Sequence, residues 1–355
     1  MILPPPRSTS GRAPDRASAQ STPDRALDRM SLVFVAAGAI LWASDVFFRT
    51  GLVRHGLSSS AIVFAEDLFI TLACIPFAAR IARDLRGRSK RDILALTAIG
   101  VGPQALATVL FTQSISLALQ SNSVNETYLL QQVQPIMAIA LAWLVLKERR
   151  RARFWPLAAL ALVAVYLVVF ARTPFQPFSD LGRGHVLAAV YALGAAFLWA
   201  SGTVLGRYSL RDVSFVTTTA MRFTIALPVL FAITLISNGT KAFTVYRLAD
   251  VPNLIGLAIV PGLCAILVYY RALRSTPASL ATLAETAFPL TVTLLLALPA
   301  PYGFSQQILP LQLGGAALFI AVMIFLNARK ENTVVDGSFR ARFQPRTTDP
   351  ERRSA

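Results

Sequence analysis

Leu41-Trp42-Ala43-Ser44 recurs as Leu198-Trp199-Ala200-Ser201, and Ala118-Leu119-Gln120-Ser121 recurs as Ala272-Leu273-Arg274-Ser275. Counted from Ser121, Pro135 follows 14 residues later; counted from Ser275, Pro289 follows at the same 14. In that register Gln131 corresponds to Glu285. The matching Trp and Pro fall in equivalent apolar stretches, so the chain reads as an internal repeat.

Working outward, the repeat lies in an apolar chain. Of 355 residues, 55% are hydrophobic and only 15% charged, against about 25% charged in soluble domains. Mean hydropathy is +0.56. These values exclude an ordinary soluble enzyme and a largely disordered chain. Two cysteines, Cys74 and Cys264, each in an apolar run, exclude a disulfide scaffold. A net charge of +16 suggests nucleic acid in a soluble protein. Here the basic residues sit in blocks between apolar runs, so the partner is a lipid bilayer and not nucleic acid.

A helix needs about 20 residues to cross hydrocarbon. Ten stretches qualify: Leu32–Phe48, Ala61–Ala79, Ile93–Ile115, Val124–Leu146, Phe154–Ala171, Val186–Leu205, Phe215–Ile236, Asn253–Tyr270, Ala278–Leu298 and Leu309–Leu326. They are long and apolar on all faces, unlike the alternating strands of a β-barrel. The expected fold is an all-α integral membrane protein of ten transmembrane helices. Residues 1–30 and 328–355 are polar and basic and read as disordered cytoplasmic tails, with Met30 as a rival start.

Orientation follows from Lys and Arg. With both ends cytoplasmic, 27 of the 34 fall in inside segments and 6 in outside loops; Arg222 lies within a span. Each repeat, 31–172 and 186–327, holds five spans. Five is odd, so the second enters the bilayer from the opposite side: two inverted five-helix repeats, a transporter architecture.

At these residues the chain resembles the drug/metabolite transporter superfamily, with two EamA-type repeats. The carrying stretches are Ala118–Pro135 running into Lys147-Glu148, and Tyr269–Pro289, together with Trp42, Trp199 and Arg222. The resemblance covers about residues 31–327. It implies ten helices, cytoplasmic termini and transport of small organic metabolites, often by export. Two departures stand out. The ninth span ends in Leu298-Pro299-Ala300-Pro301 where the fourth has Lys147-Glu148, and the second holds Glu66-Asp67 where such repeats often carry Arg.

An ionisable group deep in the bilayer is costly, so it is rare and usually functional. Arg222 and Glu285 lie roughly 12 Å and 10 Å from the inner face at about 1.5 Å per residue. They suit either a structural ion pair or a gate that breaks and re-forms. Asp45, in the outer half, has Arg49 at i+4, which could simply neutralise it. Glu66 and Asp67 point about 100° apart, so one faces a cavity and the other reaches water. Crowded, desolvated acids take up protons more easily, which makes protons a candidate partner at Asp45 or Glu66. Gln131 and Gln134 read either as interhelical hydrogen-bond glue or as substrate contacts. Trp42, Trp199, Tyr269 and Tyr270 read as cavity walls or as ordinary packing. Pro103, Pro135, Pro228, Pro261 and Pro289 free backbone groups that are tolerated beside a cavity.

No phosphate-binding G-x-x-x-x-G-K-[ST] run occurs. His55 and His185 are isolated in outer loops, and the cysteines lack ligand spacing, so neither a metal site nor a cofactor is expected. The reading is a secondary transporter, an exporter of a small-molecule substrate across the plasma (inner) membrane by alternating access. A uniporter or exchanger is the rival within the class, a membrane-embedded enzyme the rival outside it, and a homodimer the candidate assembly.

Overall fold

The structure, a computed structural model, describes residues 30–120, 130–131, 133–169, 171, 183–299, 305 and 307–328. The two tails, the Asn125-Glu126 start of the fourth span and Gln132 lie outside the described residues. Among the described residues the chain is helical and has no β-strand.

The elements are α1 (Ser31–Ala43), α2 (Asp45–Arg54), α3 (Ser59–Cys74), α4 (Ala78–Leu85), α5 (Lys90–Ile99), α6 (Ala107–Gln120), α7 (Gln134–Leu146) and α8 (Phe154–Val169). They continue with α9 (Arg183–Ser209), α10 (Phe215–Asn238), α11 (Val251–Leu257), α12 (Ala265–Leu273), α13 (Ala278–Glu285), α14 (Ala287–Ala297) and α15 (Pro310–Ala328). Serines start several of them by accepting orphan backbone N–H groups. Ser58 caps α3 through the Ala61 N–H and Ser214 caps α10 through the Thr217 N–H, both at 3.3 Å. Ser89 and Asp92 close a reciprocal capping box at α5.

Among the described residues, seven helical stretches are long and apolar enough to cross a membrane: Ser31–Arg49, Ser59–Leu85, Lys90–Ser114, Val186–Ser209, Phe215–Asn238, Leu248–Leu273 and Ala278–Ala297. Three shorter apolar helices, Gln134–Leu146, Phe154–Val169 and Pro310–Leu326, fall in the expected fourth, fifth and tenth spans. The described residues therefore give seven full-length spans and three shorter apolar helices where the sequence predicts ten spans. The fourth and fifth border on residues outside the description.

Several spans are not continuous α-helices, and prolines explain two cases. A proline removes a backbone donor and crowds the preceding turn. Between α5 and α6 the chain widens into a π-turn at Gly100–Leu106, with Pro103 fourth of seven residues. Between α11 and α12 it does the same at Ala258–Cys264, with Pro261 fourth of seven. Such π-turns absorb the misfit without ending the helix. Pro135 and Pro289 instead sit in the first turn of helices that restart, α7 after Val133 and α14 after Thr286.

Packing brings the N-terminal and C-terminal parts of the chain together throughout. α1 packs on α12, α13 and α14; α9 packs on α5, α6 and α7; α3 packs on α10; and α8 packs on α15. Aromatic pairs follow the same crossing, Trp42 with Tyr269 at 5.0 Å between ring centroids and Trp199 with Phe111 at 5.2 Å. Glycine permits the tightest crossings. A Cβ on Gly202 would lie 2.7 Å from the Pro103 Cβ, and one on Gly100 would lie 2.7 Å from the Ile225 Cβ and 3.1 Å from the Arg222 carbonyl.

Candidate functional site

Three of the four helix interruptions border a cavity of about 260 Å³. Trp42 (α1), Trp199 (α9) and Tyr269 (α12) form aromatic walls; Gln131, Gln134, Arg222 and Glu285 supply polar edges; Pro103, Pro135 and Pro289 line it from the interrupted segments. Ten of the residues that the sequence singled out, three of them prolines, thus share one chamber. Asp45 and Glu66 do not border it.

Glu285 ends α13, at the Thr286 break. Its Oε1 accepts from the Tyr269 hydroxyl at 2.5 Å and from Thr203 Oγ1 at 3.0 Å; its Oε2 accepts from Gln134 Nε2 at 3.1 Å. Tyr269 is 2% exposed and also meets Thr203 at 3.2 Å. Three neutral donors on three other helices therefore hold this carboxylate.

Arg222, the eighth of 24 residues in α10, is held separately. Its Nε donates to Gln104 Oε1 at 2.7 Å and its NH1 to the Tyr270 hydroxyl at 3.0 Å. The direct ion pair expected between Arg222 and Glu285 is not formed: among the described residues neither has a charged partner within ion-pair distance. Each is satisfied by neutral hydrogen bonds on its own side, and both stay available to a third group between them. Gln134 spends its amide on Glu285, while the described structure gives Gln131 no hydrogen bond.

Asp45, Arg49 and Glu66 form a second cluster beside the chamber. Arg49 makes the i,i+4 pair with Asp45, with Nε–Oδ2 at 2.7 Å and NH2–Oδ1 at 2.6 Å, and reaches Glu66 Oε2 at 3.2 Å. One cation thus serves two carboxylates. The expectation that one of Glu66 and Asp67 reaches water is incorrect, since Glu66 is 8% exposed and Asp67 0%. Helix α3 is packed against α10, α2, α6, α11 and the 258–264 π-turn. Two directions about 100° apart can then both point inward.

Two further links cross the molecule. His55 Nδ1 meets Asp250 Oδ1 at 2.5 Å, so this histidine is not isolated. The Glu148 carboxylate accepts from the Ala278 and Ser279 N–H groups and the Ser279 hydroxyl at 2.9, 3.1 and 2.6 Å, with Arg150 3.5 Å away. A carboxylate at a helix N-terminus is favoured by the unsatisfied N–H groups there. Outside the spans, burial pushes the Tyr246 hydroxyl up to about 12, and it donates to the Ala61 carbonyl at 2.8 Å. No group of three or more His, Cys, Asp or Glu among the described residues is placed to hold a metal.

The sequence reading missed Gln104, Thr203, Tyr270 as an Arg222 partner, and the burial of Asp67. Gln104 carried a signal: it is a polar side chain next to an intramembrane proline.

The interrupted-helix chamber lies in a multi-pass membrane protein with several membrane-length apolar helices. The EamA-like transporter family matches residues 29–170 and again residues 186–328, and the chain belongs to it. A relative from Fusobacterium nucleatum subsp. nucleatum, named riboflavin transporter ImpX, is 28% identical over 295 residues, 82% of this chain and 95% of the relative. A crystal structure described only as that of a protein matches with a TM-score of 0.64 and 19% identity, over 85% of this chain and 99% of the other. That likeness shows the fold alone.

Proposed function

We propose that the chain is a secondary transporter that exports a small organic solute across the plasma membrane by alternating access. Two five-helix halves, 31–172 and 186–327, cross the bilayer in opposite senses as ten spans, with both termini cytoplasmic. The 27-to-6 division of Lys and Arg supports that orientation. The two proline π-turns, the two proline helix restarts and the crossed Trp42–Tyr269 and Trp199–Phe111 pairs support the inverted relation.

The observation that carries the reading is the chamber itself. A cation and a carboxylate face one space without pairing, between tryptophan walls and beside broken helices. Discontinuous helices at the repeat junction are where secondary transporters bind cargo. The lining suits a planar heteroaromatic solute, with ring faces against Trp42 and Trp199 and with acceptors toward Arg222 and donors toward Glu285. Riboflavin, for which the Fusobacterium relative is named, has that chemistry.

The test is riboflavin fluorescence in vesicles reconstituted with the full chain, measured for uptake and release with and without a pH gradient. Flux well above protein-free vesicles, lost in Arg222→Gln and Glu285→Gln, is the expected result. Solute exchange at equal pH without gradient-driven accumulation identifies an exchanger. Flux equal to that of protein-free vesicles removes riboflavin as cargo.

A further inference from the structure

Asp67 stands behind the chamber wall rather than in it. Its side chain is 0% exposed. Oδ1 accepts from Gln104 Nε2 at 3.0 Å, and Oδ2 has no hydrogen-bond partner among the described residues. The direction of the Gln104 amide is fixed by its other neighbour. Arginine only donates, so Gln104 gives its oxygen to Arg222 Nε and its NH₂ to Asp67. A single amide therefore joins a cation that lines the chamber to a carboxylate that does not.

The charged surroundings of Asp67 are sparse. Glu66 adjoins it on α3, Arg222 faces it from α10, and Arg49 from α2 is committed to Asp45 and Glu66. Of the other segments around α3, α6, α11 and the 100–106 π-turn contain no Asp, Glu, Lys, Arg or His, and the 258–264 π-turn holds only Cys264 as a titratable group. A buried carboxylate with one oxygen unsatisfied and no direct cation is expensive as an anion. A proton on Oδ2 removes that charge.

We propose that Asp67 is a proton-binding site, linked to the chamber through Gln104 and Arg222. While Arg222 donates to Gln104, its positive charge supports an ionised fraction of Asp67 beside the protonated one. When a solute acceptor draws Arg222 into the chamber, Gln104 loses its donor and Asp67 loses that support. Asp67 then takes one proton from hydronium, an O–H bond of hydronium breaking as the Oδ2–H bond forms, and the reverse exchange with water follows when Arg222 swings back. No other bond is made or broken. The link to cargo rests on the transporter reading above; the proton site itself does not.

The experiment is infrared pH-difference spectroscopy on the full chain in lipid vesicles, without cargo. A protonated-carboxyl C=O band is expected at neutral pH. It shifts when aspartate is labelled with carbon-13, vanishes in Asp67→Asn, moves in Gln104→Leu and strengthens in Arg222→Gln. The labelled, unaltered protein separates aspartate from Glu66 and Glu285 even if Asp67→Asn does not fold, and Gln104→Leu then locates the group. No aspartate band at neutral pH, or a band untouched by the Asp67 and Gln104 changes, overturns the proposal. A band abolished by sodium at constant pH overturns it in favour of a cation site. Vesicles that show the Asp67 band but move no riboflavin refute the cargo and leave the proton site standing.

Discussion

Glu66 and Arg222 occupy matching places with opposite charges. Each lies eight residues past the serine that caps its helix, Ser58 for Glu66 and Ser214 for Arg222. Each also faces a proline π-turn from the other part of the chain. Arg222 meets Gln104, and Glu66 lies against Gly262, where an added Cβ would sit 3.3 Å from its Oε1. A polar side chain at one π-turn and a glycine at the other place the arginine in the chamber wall and draw the glutamate toward Arg49. This asymmetry makes Arg222 the chamber's cation.

Arg222→Lys is therefore expected to fail nearly as badly as Arg222→Gln. The guanidinium holds two fixed directions at once, Nε to Gln104 and NH1 to Tyr270. An ammonium on a flexible stem does not reproduce that fork. Losing one charge-assisted hydrogen bond costs about 1.5–3 kcal/mol, so solute flux should fall by about tenfold or more. Vesicle flux of the two variants measures it, and a lysine variant with full flux would show that charge alone matters.

Tyr269→Phe keeps the ring against Trp42 but removes the hydroxyl that meets both Glu285 and Thr203. Glu285 then keeps only Thr203 and Gln134. The expected result is a lower unfolding temperature in detergent together with weaker solute binding, each by about 1–3 kcal/mol. Tyr270→Phe frees Arg222 instead of Glu285, so it should alter solute affinity with a smaller change in unfolding temperature.

Glu148 ties the end of α7 to the start of α13 through two backbone N–H groups and a hydroxyl, with Arg150 beside it. Glu148→Ala leaves those buried donors and the Arg150 side chain without that acceptor, at a cost of about 3–5 kcal/mol. Glu148→Gln keeps acceptor oxygen and should lose less than half as much. Thermal unfolding of the pair of variants tests the order. Equal losses would mean that the charge, and not the acceptor geometry, holds the joint.

The apolar spans and the repeat were legible because hydrocarbon imposes length and composition on any crossing helix. Trp42, Gln131, Gln134, Trp199, Arg222, Tyr269 and Glu285 could be picked out as costly or recurrent residues in those spans. What pairs with what could not. Depth along a helix put Arg222 opposite Glu285, but pairing depends on which donors and acceptors reach each one, and the π-turns at Pro103 and Pro261 lie on the helices that present Gln104, Tyr269 and Tyr270 to them. Each π-turn inserts extra backbone into a turn and re-aims every side chain beyond it. Asp67 was misjudged for a related reason. Angular spacing says where two neighbours point, while burial depends on how many helices stand around them.

Asp45 and Glu66 offer a rival location for a transported proton, since two buried or half-buried acids share the single cation Arg49. In the structure Arg49 binds Asp45 through three contacts and Glu66 through one, so Asp45 is the better neutralised and Glu66 the residual charge. The amides Asp45→Asn and Glu66→Gln keep shape but cannot ionise. If this cluster moves the proton, Glu66→Gln should lose pH-gradient-driven accumulation and keep exchange of solute at equal pH, while Asp45→Asn retains both. If Asp67 is the site, both amide variants keep the full pH-gradient response, and Arg49→Gln lowers the yield of folded protein by leaving two acids unpaired. Measuring accumulation and equal-pH exchange in the three variants separates the two locations, because only Glu66 as carrier predicts that the first is lost while the second survives.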